Sequence, residues 1–369
     1  MEQRILKTVK KIILTLLTAT IGGALFKLIH IPVPWLLGPM VAVLIGTNIC
    51  KHRYVWPNSF RNSGMIIVGY TIGLSMTSSA LQSMALQLPS MLLMTVLLLL
   101  LCSGIAYVVS KLSDSDYSTS LLGSIPGGLT QVVMLAEETK GINLAVVTVT
   151  QIIRLMMIVI VMPLLVLIPM FSQGGVEQTA EATIPASIQV SLFPNLFIFA
   201  VVSIIFALIG AKIRFPTAFL LGPLIGTTML QLFVLQGPQL PSVLISAAQL
   251  MIGTHVGLML KIDQLHRKKR TIGLAVGSGM MLVVGSVMLS MILTKLHPIT
   301  HATSLLSMAP GGMDQMGIIA HEIHANLSIV SGYQLFRLFF IFFAVPPLLK
   351  FIFKIIDRKK AKQHGSSYQ

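Results

Sequence analysis

The sequence repeats itself across its two halves at one fixed offset. Three separate motifs recur 184 positions later, with no gap between them. The paired motifs are Leu-Leu-Gly-Pro at 36–39 and 220–223, Gly-x-x-x-Gly at 69–73 and 253–257, and Pro-Gly-Gly at 126–128 and 310–312. This agreement predicts that the chain folds as two copies of one module.

Polar residues continue the match beyond these motifs, although the second copy lacks one residue after Ala320. The further matched pairs are Gln131 with Gln315, Asn143 with Asn326, Gln151 with Gln334, Arg154 with Arg337, and Pro163 with Pro346. The longest polar stretch inside the chain then separates the copies. The predicted units are membrane repeat 1 at 1–170, an extracytoplasmic linker at 171–191, membrane repeat 2 at 192–356 and a cytoplasmic tail at 357–369.

Charged residues are too scarce to cover the surface of a water-soluble protein. Of the 369 residues, 54% are hydrophobic and 10% are charged, whereas a soluble domain carries roughly 25% charged residues. Lipid must therefore contact most of the exterior. The net charge of +15 comes from short basic clusters between apolar runs, such as Arg267–Arg270. This distribution is typical of cytoplasmic loops in membrane proteins rather than of a nucleic-acid-binding surface.

Each copy contains five apolar runs that are long enough to cross a bilayer. The predicted spans are 12–29, 34–50, 63–80, 89–110 and 143–169 in the first copy, and 194–211, 217–236, 242–260, 271–294 and 327–353 in the second.

One further segment in each copy, at 118–138 and at 302–324, has Pro-Gly-Gly at its middle. Each limb has about ten residues, and ten helical residues extend about 15 Å, half of the hydrocarbon thickness. The segment is either a hairpin that enters and leaves on one side or a broken helix that crosses the membrane.

The distribution of Lys and Arg favours the hairpin. With a cytoplasmic N-terminus, only Lys27 and Lys295 of the 26 basic residues fall outside, and Arg154 and Arg337 lie within the membrane. A crossing segment would move the cluster at 261–270 to the outside. The predicted fold is an all-α integral membrane protein of the cell (cytoplasmic) membrane. It has two inverted-topology repeats, each of about five transmembrane helices plus one re-entrant Pro-Gly-Gly hairpin, and both termini are cytoplasmic.

The Pro-Gly-Gly motifs are the first candidates for a functional site. Pro and Gly interrupt a helix and leave backbone N–H groups free at the start of the next limb, and these groups favour an anion. The predicted substrate-binding residues here are Pro126, Gly127, Gly128, Pro310, Gly311 and Gly312. The alternative interpretation is a turn between two packed helices.

Arg154 and Arg337 are the next candidates, because each lies well inside a long apolar helix. A charge at that depth is costly unless it is paired or hydrated, and a functional role is the default hypothesis. The structural alternatives are an ion pair, with Asp314 as the obvious acidic partner, or hydrogen bonds to hairpin carbonyl groups. Substrate contact and structural pairing account equally well for the two arginines. Asp314 is included among the predicted substrate-binding residues.

Amides duplicated in apolar surroundings complete the predicted site. Gln131, Gln151, Gln315 and Gln334 either line a cavity or join helices through hydrogen bonds. Asn143 and Asn326 directly precede long helices, so an N-cap is the favoured interpretation for these two.

No pattern in the sequence predicts catalysis. The segment His321-Glu322-Ile323-His324 lacks the four-residue spacing of zinc-binding histidines, and its counterparts in the first copy, Glu137 and Lys140, could not both bind a metal. Cys50 and Cys102 lie in or beside apolar segments, without metal-ligand spacing. The sequence therefore predicts no catalytic residue, no metal site, no cofactor and no enzymatic activity.

At this length, the paired Pro-Gly-Gly and Leu-Leu-Gly-Pro motifs resemble the membrane-bound AbrB family. The resemblance covers residues 10–355, and its specific part is Pro-Gly-Gly followed by a polar helix and an Arg, at Pro126–Arg154 and Pro310–Arg337. Members carry the names "AbrB family transcriptional regulator" and "putative ammonia monooxygenase". The first name implies an effect on gene expression, and the second implies a copper enzyme. Nothing in the chain resembles the small soluble DNA-binding family that shares the name.

Three functional hypotheses follow. The favoured one is a secondary carrier or exporter of a small solute, for which an anion suits the hairpin tips, by analogy with carriers that have paired re-entrant hairpins. The second is a membrane protein that regulates gene expression indirectly, and the third is a membrane metalloenzyme. The expected partners are the lipid bilayer and the small-molecule solute, and the sequence is compatible with a homo-oligomer. No direct contact with nucleic acid is expected.

Overall fold

The computed structural model describes residues 2–49, 53–113, 115–126, 132, 136, 142–172, 192–213, 215–233, 235–259 and 269–365. Every regular secondary-structure element among these residues is an α-helix. The helices are α1 Glu2–Leu28, α2 Pro34–Ile49, α3 Asn58–Ser75, α4 Ser78–Leu86, α5 Leu88–Leu112, α6 Tyr117–Ser124, α7 Leu144–Val166, α8 Pro169–Ser172, α9 Leu192–Lys212, α10 Ala218–Phe233, α11 Ser242–Met259, α12 Lys269–Leu296, α13 His301–Met308, α14 Met313–Glu322 and α15 Leu327–Gly365.

Seven helices of the described chain are long and apolar enough to cross a bilayer, which identifies a multi-pass membrane protein. The crossing parts are Leu6–Leu28, Leu88–Leu112, Leu144–Val166, Asn195–Lys212, Ser242–Met259, Ile272–Leu296 and Leu327–Pro347. Each coincides with one of the predicted spans. The prediction of an all-α membrane protein is therefore confirmed at this level.

The other three predicted spans differ from simple crossing helices. The predicted span at 63–80 is interrupted, because α3 and α4 meet at an angle of 82°. Thr77 causes the break: its side chain accepts a hydrogen bond from the Ala80 N–H and caps α4 as a new helix. Helices α2 and α10 have 16 residues each, so each extends about 24 Å, less than the hydrocarbon thickness of about 30 Å.

Glycines bring the backbones of α2 and α11, and of α3 and α10, into direct contact. A Cβ atom added to Gly253 would collide with the carbonyl oxygen of Leu36, and one added to Gly69 would collide with the carbonyl oxygen of Leu220. The repeat makes these two contacts equivalent, because Gly253 lies 184 residues after Gly69 and Leu220 lies 184 residues after Leu36. A helix without a Cβ at the crossing point allows its neighbour to approach closely, which is how membrane helices gain packing energy.

The helices α5 and α12 form the centre of a second group, which also contains α6, α7, α13, α14 and α15. Leu101 of α5 contacts Gly285 of α12, so the two equivalent positions of the sequence repeat face each other directly. A core of buried Met and Leu side chains lies beside this crossing, at Met91, Met94, Leu98, Leu282 and Leu293. This second group holds most of the predicted site residues.

Candidate functional site

The second interrupted segment consists of the two short helices α13 and α14 with Pro-Gly-Gly between them. Helix α13 ends at Met308, and the following Ala309 has extended geometry with φ −54° and ψ 124°. Pro310 requires this, because proline disfavours helical geometry in the residue before it. Gly312 is the N-cap of α14, so Pro310, Gly311 and Gly312 occupy the break as predicted.

The first interrupted segment breaks at the equivalent place. Helix α6 ends at Ser124, and Ile125 is extended, with φ −67° and ψ 127°, directly before Pro126. Three predicted site residues that follow it, Gly127, Gly128 and Gln131, lie outside the described residues.

Arg154 binds the end of α6. Its Nη1 atom donates to the carbonyl oxygens of Gly123 at 3.1 Å, Ser124 at 2.9 Å and Ile125 at 2.9 Å. The side chain is only 5% exposed. The last carbonyl groups of a helix have no partner within the helix and carry partial negative charge, so a buried cation is stabilised there.

Gln151 lies one turn before Arg154 on α7 and binds the same helix end. Its Nε2 atom donates to the carbonyl oxygens of Leu122 at 2.7 Å and Ile125 at 3.0 Å. Its Oε1 atom accepts a hydrogen bond from Nη2 of Arg154. The two side chains therefore act as one unit that satisfies the terminal carbonyl groups of α6.

Arg337 and Gln334 of α15 form the same unit at the end of α13. Arg337 donates to the carbonyl oxygen of Ala309 at 2.7 Å and also reaches the carbonyl oxygens of Met308 and Gly311, both at 3.5 Å. Gln334 donates to Ala309 at 3.1 Å and accepts from Arg337. Of the structural roles that the sequence left open, hydrogen bonds to the carbonyl groups of the interrupted segment are therefore the ones formed.

Asp314 does not pair with Arg337, contrary to the expectation for an ion pair. Its buried carboxylate accepts a hydrogen bond from Nε2 of Gln315 at 3.0 Å and interacts with the first backbone N–H groups of α14. A carboxylate at a helix N-terminus is stabilised by these groups, which explains why the arginine is not needed there. The cation whose charge acts on Asp314 is Arg61 of α3.

The two arginine units lie near one another around Cys102 of α5. The charges of Arg154 and Arg337 both act on the Cys102 thiol and on each other. Among the described residues neither arginine forms an ion pair with a carboxylate, and Nε of Arg154 is buried without a hydrogen-bond partner. Within the part of the chain that the structure describes, the two buried guanidinium groups thus have only carbonyl and amide dipoles as partners.

The two ends of each interrupted segment meet. The backbone N–H of Asn143 donates to Oγ1 of Thr119 at 3.2 Å, and that of Asn326 donates to Oγ1 of Thr303 at 3.1 Å. Each Asn side chain also accepts from the backbone N–H three residues later, at 3.2 Å and 3.1 Å. The prediction that Asn143 and Asn326 are N-caps is therefore confirmed.

Sequence analysis missed a hydrogen-bonded group formed by Ser90 of the first copy with His297 and Tyr333 of the second copy. Its members do not repeat between the copies, so the alignment gave no signal for it. The segment at 321–324 does not belong to a cluster of metal ligands in the described chain. No three His, Cys, Asp or Glu side chains there are close enough to hold a metal ion.

Comparison with known proteins gives one family and two distant relatives. The family model described as "Transition state regulatory protein AbrB" matches residues 35–353. The chain is 26% identical over 368 residues to "Uncharacterized protein YhjN" of Bacillus subtilis (strain 168), covering 94% of each chain. It is also 26% identical over 336 residues to "Putative regulator AbrB" of Escherichia coli (strain K12), covering 91% of this chain and 94% of that protein.

Proposed function

The chain belongs to the AbrB family, and from that premise we propose that it is a secondary carrier or exporter of a small anionic solute. The solute site lies where the interrupted segments break, beside Arg154 and Arg337. The observation that carries the proposal is the pair of buried guanidinium groups without a described carboxylate partner. A buried charge of this kind creates a strong local potential that an anion can neutralise.

Each interrupted segment, on this proposal, is a re-entrant hairpin. The hydrogen bonds between Asn143 and Thr119 and between Asn326 and Thr303 support it, because they join the residue that leaves each segment to a residue near its start. Non-helical backbone at membrane depth must be covered by protein or by water. The Arg–Gln pairs, Arg154 with Gln151 and Arg337 with Gln334, cover the carbonyl groups that directly precede each break.

The two copies, on the same proposal, have opposite orientations in the cytoplasmic membrane, with both termini in the cytoplasm. The distribution of Lys and Arg supports this orientation. The reciprocal contacts Gly69–Leu220 and Gly253–Leu36 support a two-fold relation between the copies, because each copy offers the same surface to the other. Inverted repeats with interrupted helices are common in secondary transporters.

The anion is expected at the first copy's break more than at the second. Helix α14 already has the Asp314 carboxylate at its N-terminus, and Thr130 is the residue of the first copy that aligns with Asp314. The second break thus carries an acidic side chain that the first lacks at the aligned position, and a like charge disfavours a bound anion. The free Nε of Arg154 gives this half a further buried donor.

Reconstituted protein tests the proposal. The purified protein is first screened for thermal stabilisation in detergent by acetate, succinate, sulfate and phosphate, because a ligand that binds only the folded state raises its stability. Uptake of the stabilising anion is then measured in proteoliposomes for the unmodified protein and for Arg154→Lys and Arg337→Lys variants that elute as folded protein. Uptake that requires both guanidinium groups is expected. Uptake that survives the loss of both would contradict the proposed site.

The name of the Escherichia coli relative favours a second candidate function, indirect regulation of gene expression. A carrier that changes the concentration of a metabolite would also change transcripts. The comparison is between cells with the unmodified protein and cells with a folded, transport-inactive variant. If the transcript change persists with the inactive variant, regulation is separate from transport.

Metal analysis of the protein purified for the transport assay tests the metalloenzyme hypothesis.

A further inference from the structure

A cavity lined by hydroxyl groups lies between α5, α6, α7 and α12. It has a volume of about 20 Å³, which is room for one water molecule. Its polar lining consists of Ser113, Ser115, Ser120, Ser124, Thr150 and Ser278. The Ser120 side chain is 5% exposed, and its Oγ atom has no hydrogen-bond partner among the described residues.

This cavity extends from the turn between α5 and α6 to the proposed site. Ser113 and Ser115 lie in the turn, whereas Ser124 lies at the end of α6, where its carbonyl oxygen accepts from Arg154 at 2.9 Å. An unpartnered buried hydroxyl is costly unless water reaches it. Ser120 therefore indicates that the cavity is hydrated.

The positions that the repeat makes equivalent to three of these lining residues are filled by large side chains. Thr150 corresponds to Tyr333, Ser124 to Met308 and Ser278 to Met94, and all three large side chains are buried, with at most 4% exposed. Ser120 corresponds to Ser304, which is fully buried and donates to the carbonyl oxygen of Ser290. Packed side chains thus occupy the region that the repeat relates to the cavity.

Hydrogen bonds hold the filled side together. The hydroxyl groups of Tyr333 and Ser90 lie 2.8 Å apart, and Nε2 of His297 lies 2.8 Å from the same Ser90 hydroxyl. These three residues connect α15, α5 and the end of α12. By the repeat, Tyr333 corresponds to Thr150, Ser90 to Leu274 and His297 to Ser113, and these three counterparts line the cavity.

We propose that the hydroxyl-lined cavity is the hydrated part of an entrance to the carrier site, with room for one water molecule in this structure, and that Ser90, His297 and Tyr333 form the closed gate of the opposite entrance. This inference rests on the proposed function. Because the copies are inverted on that proposal, the entrance opens to the cytoplasm and the gate faces the outside. The described residues that line it contribute hydroxyl groups, which are suitable hydrogen-bond partners for water and small polar solutes.

Cysteine accessibility tests the entrance without any transport assay. In a chain in which Cys50 and Cys102 are replaced by Ala, Ser120→Cys and its matched counterpart Ser304→Cys are treated with a membrane-impermeant thiol reagent in inside-out vesicles. The cysteine at 120 is expected to react at least tenfold faster than the cysteine at 304. Equal rates at the two positions, or reaction at 120 only from the opposite face, would overturn the proposal.

Exchanging residues between equivalent positions of the two copies tests whether large side chains close the cavity. Thr150→Tyr and, independently, Ser278→Met introduce the side chains found at the equivalent positions, Tyr333 and Met94, and are expected to reduce labelling at position 120 at least tenfold. Tyr333→Thr is expected to increase labelling at position 304 from the outside, whereas Tyr333→Phe, which retains the ring, increases it less. Labelling that is unchanged by both filling variants contradicts the entrance. If labelling behaves as expected but no anion is transported, the entrance stands and the carrier function fails.

Discussion

Gly69 of α3 packs on Leu220 of α10 so closely that a Cβ atom at position 69 would collide with the Leu220 carbonyl oxygen. The equivalent pair, Gly253 and Leu36, has the same relation. The obstacle in both cases is backbone, which cannot rotate away as a flexible side chain can. The two contacts therefore set the distance between helices of the two copies.

Gly69→Ala and Gly253→Ala are each expected to lower the stability of the folded protein by about 1–3 kcal/mol, as overpacking does in a tight core. The measurement is thermal unfolding in detergent. The matched control is Gly104→Ala in α5, because a Cβ there meets no atom within 4 Å. The control is expected to be neutral or stabilising by about 0.5–1 kcal/mol, since Ala favours the helix over Gly. Equal effects at positions 69 and 104 would contradict the close contact.

Arg154→Met and Arg337→Met are expected to destabilise the protein by about 3–5 kcal/mol each, because breaking a buried charged interaction leaves its partners unsatisfied. For Arg154 those partners are the carbonyl groups of Gly123, Ser124 and Ile125. The Lys variants retain the charge but have fewer fixed donors, so an intermediate loss is expected.

The control for the arginine variants is Lys295→Gln at the exposed end of α12. Chemical unfolding in mild detergent compares the variants. If Arg154→Met and Lys295→Gln have the same midpoint, the Arg–Gln unit does not hold the end of α6.

Asn143→Ala and Asn326→Ala are expected to cost about 1 kcal/mol each, because each removes the side-chain acceptor at a helix N-terminus. The corresponding Ser variants preserve an acceptor and are expected to retain most of the stability. Thermal unfolding of the four variants measures the difference. A loss that is as large for Ser as for Ala would show that the amide acts in some other way.

The sequence predicted the parts of the site that depend on local chemistry. The break at Pro126 and Pro310 follows from proline alone, and the caps at Asn143 and Asn326 follow from their position before a long apolar helix. The repeat also identified Arg154 and Arg337 as a pair, since a buried charge that recurs at equivalent positions has a common cause.

The remaining features depend on tertiary contacts that no local pattern specifies. The bend between α3 and α4 required recognition of Thr77 as an N-cap inside an apolar run. Asp314 was expected to neutralise Arg337, but its carboxyl group bonds to Gln315 and to the first backbone N–H groups of α14 instead. The difference between Thr150 and Tyr333 can be read from the sequence repeat, but its effect on the cavity beside Thr150 is visible only in the structure.

The central claim is that the second copy is inverted in the bilayer relative to the first. Epitope tags in the 261–270 loop, in the 171–191 linker and after residue 365 test it most directly, in intact cells and in permeabilised cells. The loop and the C-terminal tag are expected to react only after permeabilisation, and the linker tag is expected to react in intact cells. Detection of the loop and the C-terminal tag on opposite faces of the membrane would contradict the inversion.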